Sequence, residues 1–293
     1  MGFAHINLSM PVGVSASTHG AGAGAGRRDR EFGLLKNMSR RAKDILKGIA
    51  GAALAVAAWE LVRTLNFVDP RDLPSFPVIA RSAATGLWGG DIARALAATV
   101  GSWVPGLLIA TIAGVAAGIA LAVMPRLEIA TRPLLEFLRP IPSVALIPVA
   151  LLVLGIGLQM QLFMIAFASI WPVLFSTKAG VESVEPRHIE AGRVMGLGRS
   201  AQLFRIVLPS TLPFVATGVR TASAIALVLA ITVEMLTGRP GIGFYVENVR
   251  LNGLTTEMWA AILVTGVLGY LVNAAFMAVE RLALPWSPEN RDR

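Results

Sequence analysis

The chain has 293 residues, of which 55% are hydrophobic and 15% are charged, and it contains no cysteine. The apolar share exceeds the roughly 45–50% of soluble domains, and the lack of cysteine excludes disulfides and thiolate metal sites. The three His residues are too scattered to suggest a metal site, and neither a G-x-x-x-x-G-K-[ST] nor a G-x-G-x-x-G phosphate loop occurs. A net charge of +8 would suggest nucleic acid on a soluble domain, but in a chain this apolar we interpret it as membrane topology.

Residues 1–43 differ in composition from the rest of the chain. They contain the run HGAGAGAG and then a basic stretch that ends at the first apolar segment. Such a composition cannot bury enough surface to offset the entropy of ordering, so we predict a disordered basic tail. A cleaved signal peptide fits poorly, because no convincing small-residue cleavage site separates the apolar segment from Glu60 and Arg63.

Three uncharged runs indicate membrane spans: residues 95–125, 140–177 and 258–279, which are 31, 38 and 22 residues long. About 20 apolar residues, at a rise of about 1.5 Å each, cross a hydrocarbon core of roughly 30 Å. The longest run divides at Gly155 and Gly157, where a turn is easily made. We therefore predict an all-α membrane domain over residues 44–285 and a charged tail over 286–293, with six spans at about 45–66, 95–123, 138–154, 160–178, 212–236 and 257–280.

Three shorter features refine this organisation. The Pro-punctuated stretch from residue 68 to the second span favours a loop with an interfacial helix over a further span. Gly114 and Gly118, four residues apart, would let another helix approach closely, and we favour packing within the chain over a dedicated dimer motif. The segment PIPSVALIP has three prolines in nine residues and is expected to distort the start of the third span.

The distribution of basic residues predicts the orientation. Six spans place both termini on one side, and if that side is cytoplasmic it holds 20 of the 26 Lys and Arg residues. This excess is typical of cytoplasmic segments. We therefore expect cytoplasmic termini and a cytoplasmic segment between the fourth and fifth spans.

That segment, residues 186–209, is predicted to form two short helices. The first opens at Pro186 and stops at Gly196 and Gly198; the second has Ser200 as a candidate cap and ends before Pro209. Together they form a compact knob with small and charged residues outward. No pair of groups in it could serve as nucleophile and base, so the knob suits docking into a partner better than catalysis.

The segment resembles the EAA loop of binding-protein-dependent ABC transporter permeases, whose pattern is E-A-A-x3-G-x9-I-x-L-P. Six of its seven specified positions match, and the exception is Gly192, where the second Ala stands in the pattern. The matched and substituted positions are Glu190, Ala191, Gly192, Gly196, Ile206, Leu208 and Pro209. The segments FLRPIPSVALIPVALLVLGIG, ITVEMLTGRPGIGFYV and ERLALPW are similar to the nitrate, sulfonate and taurine group of these permeases, so the resemblance covers roughly residues 50–286.

The resemblance implies a type I ABC importer permease fold in a bacterial inner membrane. It implies that the seven pattern residues couple the chain to two cytoplasmic ATPases, which bind the ATP. A second permease copy, expected to form a homodimer, and an extracytoplasmic substrate-binding protein complete the assembly. The chain itself is then a transport subunit rather than an enzyme, with no cofactor or metal of its own. The resemblance favours an aliphatic sulfonate or taurine as the solute, with nitrate, bicarbonate or a thiamine-precursor-like molecule as alternatives.

Several roles stay open on the sequence. Glu190 either anchors the docked knob or pairs with Arg187 or Arg193 on a solvated face. Glu234 either lines the pathway or stabilises its outer mouth, or else it has a structural role at the interface or in a pair with Arg239. Arg139 either attracts anions or is an ordinary positive-inside anchor. An integral-membrane transferase would need carboxylate, His or Cys clusters at the membrane face, and a stand-alone channel would not need the knob.

Overall fold

The computed structural model describes residues 46–65, 67–69 and 71–284 of the chain. The chain divides into two compact units, residues 1–64 and 65–293. In the first unit, helix α1 covers residues 46–64, where the first span is predicted. The predicted tails, residues 1–43 and 286–293, lie outside the described residues.

The second unit is helical throughout its described part. Its helices are α2 (Phe76–Gly89), α3 (Asp91–Val123), α4 (Pro125–Leu138), α5 (Ile147–Leu154), α6 (Leu158–Glu182), α7 (Pro186–Val194), α8 (Arg199–Gln202), α9 (Leu208–Thr237), α10 (Ile242–Leu251) and α11 (Thr255–Ala283). A 3-10 turn, Ser143–Leu146, precedes α5, and a π-helical turn, Leu203–Val207, joins α8 to α9.

Among the described residues, four helical segments are long and apolar enough to cross a membrane. They are Asp91–Val123, Leu158–Glu182, Arg199–Thr237 and Thr255–Ala283. They coincide with the second, fourth, fifth and sixth predicted spans. α2 has only 14 residues, in agreement with the short helix predicted before the second span.

The third predicted span, 138–154, is not one straight helix. α4 and the segment Ser143–Leu154 meet at a bend of 87°, which is the geometry of a broken span or of a re-entrant loop. Pro140 and Pro142 lie at the bend, where a residue without an N–H cannot continue the helical hydrogen bonds. The prolines thus distort the start of this span as predicted, but the distortion is a bend close to a right angle and is preceded by the unpredicted helix α4.

The core of the second unit lies between α3, α6 and α9, which pack along most of their lengths. Gly114 and Gly118 of α3 face α6 of the same chain: a Cβ atom at Gly118 would lie 2.7 Å from the carbonyl oxygen of Leu174. A Cβ atom at Gly114 would lie 2.8 Å from the Cβ atom of Val173. The prediction that this glycine pair serves packing within the chain is confirmed.

Candidate functional site

The first half of segment 186–209, which we call the coupling segment, is helix α7 and its C-terminal turn. Pro186 occupies the first helical position, where its missing N–H costs nothing. At the other end the N–H of Leu197 donates to the carbonyl oxygen of Gly192 (2.9 Å), and the N–H of Gly196 donates to that of Arg193 (3.0 Å). This pair of bonds is a Schellman motif, which needs a left-handed residue, and Gly196 supplies it with φ of 77°.

The second half differs from the prediction at both ends. Gly198, not Ser200, stands at the N-cap of α8, and no side chain caps this helix. The helix also does not end before Pro209, because α8, the π-helical turn and α9 run continuously from Arg199 to Thr237. The π-helical turn accommodates the missing N–H of Pro209, and the hydroxyls of Ser210 and Thr211 donate to the carbonyl oxygens of Ile206 and Val207, both at 2.8 Å.

An open groove of about 560 Å³ lies between the two halves of the coupling segment. Four of the seven predicted coupling residues line it: Ala191, Gly192, Ile206 and Pro209. They share this groove with His188 and Arg205, among others. Residues 15 positions apart in the pattern therefore form one surface, while Glu190, Gly196 and Leu208 lie outside its lining.

The outer face of the coupling segment is apolar and unusually open. Val194, Met195 and Phe204 expose 89%, 81% and 68% of their surface. Glu190 is also exposed, and in the described part of the chain it forms no ion pair with Arg187 or Arg193. Exposed apolar side chains beside an unpaired carboxylate are typical of an interaction surface.

Gly192, the departure from the pattern, is buried inside the coupling segment. A Cβ atom at this position would lie 2.6 Å from Cδ1 of Ile206. Glycine therefore lets the Ile206 side chain pack directly on the backbone of α7. The sequence alone could not indicate this contact, because it joins two positions of the pattern across the fold.

Arg139 lies at the bend between α4 and the 3-10 turn and is exposed. Its Cζ atom lies 4.7 Å from the centroid of the Phe175 ring, in a cation–π contact. Phe175 also lines a cavity of about 270 Å³ that contains Lys178, whose Nζ lies 2.9 Å from Oε1 of Glu128. Neither Phe175 nor this ion pair is indicated by a pattern in the sequence.

Glu234 is fully buried near the end of α9. Its carboxylate accepts hydrogen bonds from the hydroxyl of Thr99 (2.8 Å), Nε2 of Gln161 (3.1 Å) and the N–H of Gly243 (3.1 Å). The donors come from the starts of α3, α6 and α10, all at the end of the unit remote from the coupling segment. Three donors satisfy a carboxylate that would otherwise be costly to bury.

Arg239 reaches Glu234 only indirectly. Its Nε donates to Oε1 of Gln161 at 2.8 Å, and Gln161 in turn donates to the carboxylate. Sequence reasoning missed Thr99 and Gln161 as members of this cluster. The available signal was the presence of polar side chains inside or beside predicted spans, which marks functional sites in membrane proteins.

These features define a class: a multi-pass helical membrane protein in which an exposed helical segment continues directly into a spanning helix. Residues 106–286 match the family "Binding-protein-dependent transport system inner membrane component", and the chain belongs to this family. It is an ABC transporter permease of the nitrate, sulfonate and taurine group, a transport subunit of the inner membrane.

Two relatives illustrate the similarity. The chain is 27% identical over 253 residues to the taurine transport system permease protein TauC of Escherichia coli, covering 85% of this chain and 92% of the relative. It is 29% identical over 275 residues to the bicarbonate transport system permease protein CmpB of Synechocystis, covering 88% and 97%.

The fold is also found among solved structures. The chain superposes on the MetNI methionine ABC transporter in an inward-facing conformation with a TM-score of 0.54 and 21% sequence identity. The match covers 71% of this chain and 98% of the other. The type I importer permease fold expected from the sequence is therefore confirmed.

Proposed function

We propose that the coupling segment docks onto a cytoplasmic ATPase and transmits its movements to the membrane spans. The observation that carries this proposal is the continuity of Arg199–Thr237: the second half of the coupling segment and the spanning helix are one helical body, against which α7 packs. In the proposed mechanism, ATP-driven closure of two ATPases moves two docked segments together, and rigid-body motion of the spans reorients the pathway.

The proposed assembly contains two ATPase subunits, a second copy of this chain as a homodimer, and an extracytoplasmic substrate-binding protein. The ATPases bind the ATP, and this chain holds no cofactor and contacts membrane lipid rather than nucleic acid. Both termini are cytoplasmic in this proposal. The excess of Lys and Arg on that side supports it.

Within the coupling segment, Glu190 is the proposed polar anchor and the groove receives a side chain of the ATPase. The exposure of Glu190, Val194 and Met195 supports this assignment. The groove also contains Arg205 and His188, which suits an acidic or aromatic side chain of the partner. Gly196 and Leu208 contribute by shaping the segment, and Pro209 lines the groove itself.

The docking proposal is tested by charge reversal. Glu190→Lys is expected to reduce the amount of ATPase that copurifies by at least about tenfold, since that corresponds to about 1.4 kcal/mol and loss of an interfacial charge costs more. Glu185→Lys, at an exposed acidic residue directly before the segment and outside the pattern, is the control and should leave copurification unchanged. Unchanged copurification and transport in the Glu190 variant would disprove the anchor role.

The proposed solute is a small molecule, with taurine or an aliphatic sulfonate first and nitrate, bicarbonate or a thiamine-precursor-like molecule as alternatives. The likeness to the taurine permease supports the first choice, and the likeness to the bicarbonate permease supports one alternative. Arg139 is a proposed pathway residue because it is cationic and exposed at the helix bend. Uptake of labelled taurine, nitrate and bicarbonate by the reconstituted transporter, each in competition with the others, distinguishes these solutes.

A further inference from the structure

The N-terminus of α10 is capped by side chains from two other helices. The N–H of Gly243 donates to Oε2 of Glu234, and the N–H of Ile242 donates to Oγ1 of Thr99 at 2.8 Å. These N–H groups lie in the first turn of α10, where no partner exists within the helix itself. A carboxylate at this point also interacts favourably with the helix dipole.

The start of α10 packs so closely on α9 that it leaves no room for side chains at two positions. A Cβ atom at Gly241 would overlap the carboxylate of Glu234, and one at Gly243 would overlap the carbonyl oxygen of Ile231. Only residues without a side chain let α10 begin this close to α9. The glycines of the sequence GRPGIG therefore allow α10 to begin in direct contact with Glu234.

α10 has a buried face that depends on this seating. Ile242, Val246 and Val249 are each at most 9% exposed, and α10 packs against α3, α9 and α11. The helix has only 10 residues, so it does not cross the membrane but covers the remote end of these spans. A loss of the caps at its start would free a helix of this length from its neighbours.

α9 links this cluster to the coupling segment. It runs without interruption from Leu208, where the coupling segment ends, to Thr237, just beyond Glu234. At a rise of about 1.5 Å per residue, the two sites are separated by roughly 39 Å of continuous helix. A tilt or shift of the coupling segment therefore displaces Glu234 as well.

We propose that Glu234 is a positioning residue for a gate formed by α10: through the cap it makes α10 follow α9, so that the remote end of the pathway opens and closes in step with the ATPase. This inference rests on the proposed function, because the movement of α9 is driven from the coupling segment. Thr99 shares the positioning role from α3, and Gln161 orients the carboxylate from α6.

The cap is tested without the ATPase. Because the chain has no cysteine, Val249→Cys on the buried face of α10 gives a single reporter thiol in the full chain in lipid nanodiscs. Glu234→Ala and Thr99→Val are expected to raise its labelling rate by a bulky maleimide about tenfold, as befits the loss of a helix cap. Thr99→Ser, which keeps the hydroxyl, and Glu247→Gln, which changes a partly buried carboxylate of α10 that bonds Arg250 rather than the cap, should label like the parent. Equal labelling in all five proteins would overturn the capping role.

The gate is tested in the complex with the ATPase subunits. Labelling at Val249→Cys is expected to differ at least about threefold between the nucleotide-free complex and the complex trapped with ATP and vanadate, and Glu234→Ala should abolish the difference. A parent complex that copurifies normally but shows no difference would overturn the gate. Failure of copurification would instead refute the proposed function, while the labelling of the permease alone would still decide whether Glu234 caps α10.

Discussion

Gly192 shows how one residue can depart from a sequence pattern without loss of the structure. The pattern has Ala here, and glycine in a helix interior costs about 1 kcal/mol relative to Ala. In this chain an Ala Cβ atom at position 192 would lie only 2.6 Å from Cδ1 of Ile206. Glycine therefore lowers the helix propensity of α7, but it allows a close contact between the two halves of the coupling segment.

This compensation predicts a non-additive pair of substitutions. Gly192→Ala alone should be nearly neutral, because about 1 kcal/mol of helix propensity is offset by the displacement of Ile206. In an Ile206→Val background, which removes the colliding methyl group, the same change should stabilise the protein by about 1 kcal/mol. Denaturant unfolding of the four proteins in one detergent measures the free energies, and equal effects in both backgrounds would contradict the packing argument.

At the scale of elements, the contact between α3 and α6 depends on small residues at helical spacing. Gly106, Ala110, Gly114 and Gly118 recur every four residues on one face of α3, and α6 packs against this face. In a membrane, where burial of apolar surface does not drive helices together, such close contact is a main source of association. The spacing was visible in the sequence, whereas the choice of partner helix was not.

A matched pair of substitutions on α3 tests this contact. Gly118→Ala should destabilise the protein by about 1–3 kcal/mol, because the new methyl group meets the backbone of Leu174, which cannot rotate away. Gly101→Ala lies on the same helix with no atom within 4 Å of the new Cβ, so it should stabilise the protein by up to about 1 kcal/mol through helix propensity. Thermal unfolding of both variants in the same detergent gives the comparison, and equal stabilities would show that α6 adjusts freely.

At the scale of the whole molecule, α9 joins the parts of the second unit. It packs against α3, α6, α10 and α11 and carries the coupling segment at its start. Its link to α11 includes an ion pair, in which Nη1 of Arg220 lies 3.3 Å from Oε2 of Glu280. α11 also packs against α2 and α10, and its residues Leu268, Val272 and Phe276 contact the core, so the ion pair adds a polar contact to an apolar interface.

Removing one member of the pair should lower the free energy of unfolding more than removing both. Arg220→Met leaves the Glu280 carboxylate, which is 10% exposed, without its guanidinium partner, and the expected cost is about 3–5 kcal/mol. The double variant Arg220→Met, Glu280→Met should recover most of that loss, because apolar replacements of similar size suit this environment. Unfolding midpoints of the single and double variants decide the matter, and a double variant no more stable than Arg220→Met would refute it.

Much of this architecture could be predicted from local patterns. Uncharged runs located the spans because a hydrocarbon core accepts only apolar helices of sufficient length. The turn at Gly155 and the disruption at Pro140 and Pro142 followed from backbone chemistry. By contrast, α4, α10 and the continuous passage through Pro209 were missed, because short helices and π-helical turns depend on contacts with neighbouring elements.

The sequence by itself determined that the protein is an all-helical membrane protein, since apolar length is a local property, and the spacing of residues 190–209 carried its resemblance to ABC transporter permeases. Only the tertiary structure decided that Ala191, Gly192, Ile206 and Pro209 share one groove and that Glu234 is buried rather than open to a cavity. The physical reason is that a buried carboxylate must find its donors wherever the fold brings them. Here Thr99 and Gln161 lie 135 and 73 positions away along the chain, and no local pattern encodes such distances.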